Sequence, residues 1–287
     1  MQSPPQVFDR ALVARHLERR PAGVDDFVTR LVLGDLEERL LAVNRRFEHA
    51  LILAPDGRAL PTEGRSAGGA FVYERASTLV GAPDMALADP EALELSRRDY
   101  DLIVSILDIE IVNDVVGFLA RLRAHLKPDG LLLAVLPGGA TLTELRQAFL
   151  EAETELSGGA TARVAPFIQL GDVGSLVQRA GLKLPVTDVE THTVRYGSAL
   201  ELCADLKRLG AANPLAERPA RPMTRSLLSA AAAAYQRLAG DTDGRVRATL
   251  ELVWLSGWAP HESQQQPLRP GSAKHSLRDV LGDKSAR

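Results

Sequence analysis

The sequence predicts an α/β protein built on a mainly parallel sheet with helices on its faces. Short apolar runs of strand length recur at 50–53, 70–73, 101–107 and 131–136, and helical patterns separate them. The turn Lys127-Pro128-Asp129-Gly130 then joins a helical pattern directly to an apolar run, as a helix-to-strand crossover requires. A chain of 287 residues, 45% of them hydrophobic, is long enough for one large domain or a domain with an appendage.

Residues 7–19 carry Phe8, Leu12, Val13 and Leu17 at near-helical spacing, and 25–47 continue with Phe27, Leu31, Leu36, Leu40 and Val43. The first 47 residues therefore read as an N-terminal helical cap. The run at 50–54 is stopped by Pro55-Asp56-Gly57, a buried strand entering a tight turn. The next stretch, punctuated by Pro61, Gly64, Gly68 and Gly69, is unsuited to a regular helix. Val115, Phe118, Leu119, Leu122 and Leu126 line one face of a helix ending at Lys127, whose cation suits the negative end of the helix dipole. Helices follow at 141–156 and 172–180, then an alternating strand at 185–195, helices at 199–209 and 225–239, and a last strand at 247–258. The expected organisation is a cap at 1–47, a main domain at 48–260 with a helical insert at about 197–242, and a polar tail at 261–287.

A net charge of −3 without a basic stripe offers no footing for nucleic acid. No apolar run approaches the roughly 18 residues of a membrane span, and the N-terminus lacks the apolar core of a signal peptide, so a bacterial cytoplasm is the expected location. The single cysteine, Cys203, suits a reducing compartment and reads as a buried helical residue. Six histidines are scattered without metal-ligand spacing, and no metal is expected. His261, beside Glu262, is either a general base or partner contact, or part of a polar tail packed over the last strand. Trp254 and Trp258 read as core and strand-end packing.

The opening Val7-Phe8-Asp9-Arg10, the stretch DYDLIVSILDIEIVNDVVGFLARLRAHLKPDGLLLAVLPGGATLTELRQA and the closing HESQQ resemble class I S-adenosylmethionine-dependent methyltransferases. Within that superfamily they are similar to the branch holding a mitochondrial complex I assembly factor that hydroxylates an arginine and, more distantly, the malonyl-carrier-protein methyltransferases. The resemblance implies a Rossmann-like seven-stranded sheet whose last strand is antiparallel. It also implies an insert lying over the carboxyl ends of the strands, with Leu202, Leu206, Leu227 and Leu228 turned inward. It implies S-adenosylmethionine as cofactor and a protein partner from respiratory complex I or its assembly. The cofactor-side positions it implies are Leu53, Gly57, Glu74, Asp89 and Ile106, with Glu74 accepting from the ribose hydroxyls and Asp89 from the adenine amino group.

The chain departs from that pattern where the cofactor should lie. Ile52 stands where the first strand normally ends in an acid, and Ala54, Pro55 and Asp56 replace the glycines that let backbone approach the cofactor. Asp56 puts a negative charge near the position of the cofactor carboxylate, with Arg58 available to offset it. Asp108, Glu110 and Ile111 replace a small polar residue, a histidine and an aromatic of the family, whereas Asn113 and Asp114 are kept as caps for the helix starting at Val115. Two readings follow. One is an active enzyme acting on a protein side chain or a small carboxylic substrate. The other is a member with a decayed cofactor loop that works through protein contacts.

Overall fold

A computed structural model describes residues 6–265 except 22, 84, 220 and 221. The polar tail expected at 261–287 therefore lies mostly outside the described residues. Two helices occupy the segment expected as an N-terminal cap. Helix α1 (Arg10–Glu18) starts where the Asp9 side chain accepts a hydrogen bond from the Leu12 amide, and α2 (Phe27–Leu41) where Asp26 accepts from Thr29. Helix α2 buries Val32, Leu36 and Leu40 against the sheet, a stripe at four-residue spacing. It stops at Leu41, earlier than the apolar spacing suggests. Phe47 is apolar for a different reason, because its ring packs edge-on against Phe71 at 5.3 Å.

The sheet runs in the order β2-β3-β1-β5-β6-β8-β7, with the two-residue β4 (Ala86–Leu87) added beside β3. Strands β1 (Ala50–Asp56), β3 (Gly69–Val80), β5 (Tyr100–Ile106) and β6 (Leu126–Pro137) are parallel. Leu102, Ile103 and Val104 pair with Leu131, Leu132 and Leu133, so the two most apolar runs are adjacent at the centre. Pro55 is accommodated in central β1 because the β1–β3 register shifts between Ala54 and Asp56. Strand β3 extends to Val80, well beyond the apolar run at 70–73. Its second half is polar in sequence, but Ser77 donates to the Pro55 carbonyl at 3.0 Å and Thr78 to Asp108 at 2.8 Å.

A 3-10 turn (Gly57–Ala59) and strand β2 (Glu63–Ser66) occupy the place of a helix after β1, β2 folding back antiparallel on β3. Gly64 is required there, since a Cβ would meet the rings of Phe71 and Tyr73 at 2.6–2.7 Å. The glycines that exclude a helix are those a hairpin needs.

Helix α3 (Val115–His125) is capped by Asp114, which accepts from the Gly117 amide at 2.8 Å, while Asn113 accepts from the Val7 and Phe8 amides and ties down the chain before α1. The helix ends at His125 rather than Lys127. Lys127 instead forms an ion pair with buried Asp101. The same carboxylate accepts from the amides of Glu48 and His49 at 2.9 and 2.8 Å, so one side chain fixes the starts of β1, β5 and β6.

Helices α4 (Thr143–Ser157) and α5 (Leu170–Arg179) precede β7 (Lys183–Tyr196), and α6 (Ala199–Arg208) and α7 (Arg225–Ala239) precede β8 (Val246–Trp258). Strand β8 lies antiparallel between β6 and β7, the closure that the resemblance implies. Phe118, Leu122, Val173 and Val177 of α3 and α5 cover one face of the sheet, and α2 covers the other. Helices α4, α6 and α7 form a separate core around Phe149, Leu202, Ala231 and Tyr235 at the carboxyl ends of the strands. Leu202 and Leu227 are buried as expected of an inward face, while Leu206 and Leu228 stay half-buried. No described helix is long and apolar enough to cross a membrane.

The Asp101 anchor yields a test. Burial alone would raise its carboxyl, but Lys127 and the two backbone amides more than reverse this and hold it below the ordinary 3.8. Asp101→Ala leaves two amides without their acceptor and should cost about 2–4 kcal/mol at pH 7 in urea unfolding. Because the folded-state value is depressed, the contribution is present at neutral pH and fades as pH falls through the depressed value, so wild type and variant should converge in strong acid.

Candidate functional site

The carboxyl ends of β1, β5 and β6 open under α6 into a cavity of about 650 Å³. Its walls are largely apolar, with Ile106, Ile111, Leu145, Phe149, Leu202 and Leu206 among them. Leu107 and Leu142, which also line it, have φ angles of 51° and 54°. Left-handed backbone at a leucine is strained, and such strain persists where surrounding structure over-determines it, as it does at many functional sites. The Leu107 amide donates to the Val135 carbonyl and the Leu142 amide to the Thr249 carbonyl, both at 2.9 Å, which holds them there.

Acidic residues crowd the same strand ends, and each is dealt with differently. Asp56 is gripped by Arg58 at 2.7 and 2.8 Å and by Arg20 at 3.1 Å. Burial alone would raise its carboxyl, but the two guanidiniums and the Arg58 amide hold it below the usual carboxylate range. Arg20 reaches it from the cap and also binds Asp26 at 2.6 Å. Asp108 is fully buried, accepts from Thr78 at 2.8 Å and faces Arg10 at 3.4 Å, while its second oxygen has no hydrogen-bond partner. Burial raises its carboxyl in spite of Arg10 and Thr78. Glu110 lines the cavity with its Oε2 buried and unpartnered, and burial pushes its carboxyl up to about 8. Among the described acids that line the cavity it is the one poised to be neutral at physiological pH.

The cofactor-side positions implied by the resemblance are dispersed. Ile106 lines the cavity. Leu53 is fully buried in the core beneath it. Gly57 packs against β3, where a Cβ would meet Ser77 Cβ at 3.1 Å and Met85 Sδ at 2.5 Å, so packing alone accounts for a glycine. Glu74 sits six residues before the end of β3, level with Leu51 near the amino end of β1. Its two oxygens accept from Ser96 at 2.5 Å and Tyr100 at 2.7 Å. Asp89 lines a separate cleft of about 600 Å³ with Arg10, Thr78, Glu91 and Asn113, and caps a 3-10 turn by accepting from the Glu91 amide at 2.9 Å. The two acids thus lie at different levels of the sheet. His261 is exposed and bonded to Ser263, in a turn beside Asp129 at the amino end of β6, opposite the cavity. Cys203 lines the cavity wall, its thiol pushed up by burial.

Sequence reading missed Arg10 and Arg20 as members of this site. Their acids lie 98 and 36 residues away in the chain, and no local pattern announces such pairs.

No family model matches the chain. It is 38% identical over 194 residues to the human mitochondrial arginine-hydroxylase NDUFAF5, an alignment covering 68% of this chain and 56% of that protein. It is 36% identical to the zebrafish (Danio rerio) protein of the same name over 68% of this chain and 60% of that one. It is 37% identical to the malonyl-[acyl-carrier protein] O-methyltransferase of Laribacter hongkongensis over 66% of this chain and 61% of the relative. The chain spans 44% to 61% of the length of the relatives it matches most strongly. Among solved structures, a candidate methyltransferase of Bacillus halodurans aligns with a TM-score of 0.48 at 12% identity, covering 79% of this chain and 98% of that one. The strand order, with β8 antiparallel between β6 and β7, is that of the class I S-adenosylmethionine-dependent methyltransferase fold, and over about two thirds of its length the chain is similar in sequence to NDUFAF5 and to the malonyl-[acyl-carrier protein] O-methyltransferases.

Proposed function

We propose that this protein acts by binding a protein partner, a subunit or assembly factor of respiratory complex I in a bacterial cytoplasm, and that it no longer holds S-adenosylmethionine in the manner of its superfamily. One observation carries this reading. The segment after β1 is a 3-10 turn and a hairpin strand, and Asp56 is locked there by Arg20 and Arg58. A cofactor carboxylate needs bare backbone amides at a helix N-terminus, and these residues supply a paired carboxylate and a packed glycine instead. They do not fit the group. The likeness to NDUFAF5 supports the choice of partner.

A second reading is favoured by Glu110. A neutral carboxylic acid facing an apolar cavity of about 650 Å³ can donate a hydrogen bond or a proton to an enclosed substrate and take it back, which suits catalysis on a protein side chain or a small carboxylic acid. In that case Ile106 and Asp89 would be the cofactor-side positions to test first.

Calorimetry separates the two. With S-adenosylmethionine or S-adenosylhomocysteine, the partner-binding reading predicts no saturable heat up to about millimolar ligand. It also predicts none of the roughly 2.7 kcal/mol of stabilisation that a true ligand gives at a hundredfold excess over its dissociation constant. Micromolar binding, weakened by Asp89→Ala, would overturn it.

Glu110 makes its own prediction under either reading. Its folded-state value, about 8, lies above the ordinary 4.5, so its contribution to stability is fully present below pH 4.5 and is lost as pH rises toward 8. Wild type should lose about 2–4 kcal/mol relative to Glu110→Gln between pH 5 and 8.5, at about 1.4 kcal/mol per pKa unit. Parallel stability profiles for the two proteins would show that Glu110 is ionised in the fold.

A further inference from the structure

Helix α2 and edge strand β7 meet on the outer part of the sheet, away from the strand-end cavity, and bring together three side chains that neither function uses. Asp35 comes from the middle of α2. Glu190 and His192, two apart on β7, share the strand face that α2 covers. One ligand atom from each lies within 4.8 Å of the other two.

The state of these atoms is unusual. Asp35 Oδ2 and His192 Nε2 are both buried without a hydrogen-bond partner. A buried polar atom in that condition ordinarily costs about 1–3 kcal/mol, and here two of them face the same point. Glu190 Oε1 is engaged by Arg39, which also binds Asp188 at 2.7 Å and stacks 4.8 Å over the Trp254 ring. That leaves Glu190 Oε2 turned toward His192 Nε2 at 3.8 Å, too far for a hydrogen bond. Burial raises the Asp35 carboxyl, and the facing Glu190 carboxylate raises it further. Arg39 pairs with two carboxylates, Asp188 and Glu190, and Asp35 adds a third beside them, so the cluster holds more carboxylates than arginines.

We propose that Asp35, Glu190 and His192 form a binding site for a divalent transition metal of the zinc type, linking the N-terminal cap to the edge of the sheet. Bonds of about 2.0–2.2 Å at tetrahedral angles place ligand atoms roughly 3.4 Å apart, so the 3.8 Å between Glu190 and His192 needs only a small rotation to close. One imidazole among carboxylates favours zinc-like ions over magnesium or calcium, whose sites are built from oxygen alone. Water would complete the coordination. Arg39 then orients Glu190 by holding the oxygen that does not bind metal.

The test uses the untagged full chain freed of metal by chelation. Titration with ZnCl2 at pH 7 should show one saturable site and raise the melting temperature, and MgCl2 at equal concentration should do neither. Asp35→Asn and His192→Ala should each weaken zinc binding at least about tenfold. Asp35→Asn removes one of two facing carboxylates, so its metal-free melting temperature should be no lower than that of wild type, and lost binding cannot then be put down to lost folding. X-ray absorption of the zinc complex should show an all nitrogen and oxygen shell containing one imidazole. Absence of a saturable zinc site in wild type, or zinc affinity in both variants undiminished from wild type, would overturn the proposal.

Discussion

A partly buried guanidinium at the ends of β3 and β5 is the contact on which the arrangement of the strand ends depends. Arg10, the last residue of the Val7-Phe8-Asp9-Arg10 motif, reaches Asp108 at 3.4 Å, the Ile111 carbonyl at 3.2 Å and the Thr78 carbonyl at 3.3 Å. One cation thereby joins the first helix, the end of β3 and the turn after β5. The rest of the motif serves that placement. Phe8 and Val7 are held by Asn113, and Asp9 caps α1 while pairing with Arg218 from the segment before α7 at 3.1 Å.

The same logic repeats across the top of the sheet. Arg20 leaves the cap to reach Asp56 at the end of β1, as Arg10 does for Asp108. Ion pairs of this depth add little net stability, because desolvation consumes most of the Coulombic gain, but breaking one is costly, so they specify geometry. Their effect is to weld the cap to the strand ends. The cavity beneath α6 is left apolar, with Glu110 as its unpaired acid.

Much of the fold was legible because β1, β5 and β6 are buried on both faces, which forces unbroken apolar runs that any reading detects. The second half of β3 escaped because Ser77 bonds to neighbouring β1 and Thr78 to Asp108 in the turn after β5, so their polarity disguises a buried strand. That error displaced Glu74, which looked like the end of a strand and proved to lie in its middle. Lys127 satisfied a local helix-dipole argument, yet its partner is Asp101 on the adjacent strand. The grouping of Asp35 with Glu190 and His192 depends on α2 lying over β7, and histidine spacing along the chain carries no trace of it. Local pattern reveals elements, whereas the site is made of pairs between them.

The claim that Arg10 and Asp108 hold the cap to the sheet is tested most directly by a double-mutant cycle on unfolding free energy at pH 7, using Arg10→Met, Asp108→Ser and the two combined. The account predicts that Arg10→Met alone is destabilising and that adding Asp108→Ser recovers much of the loss, with a coupling of about 1–3 kcal/mol. Additive effects within about 0.5 kcal/mol would contradict it, and would mean that the cap is held by its apolar contacts alone.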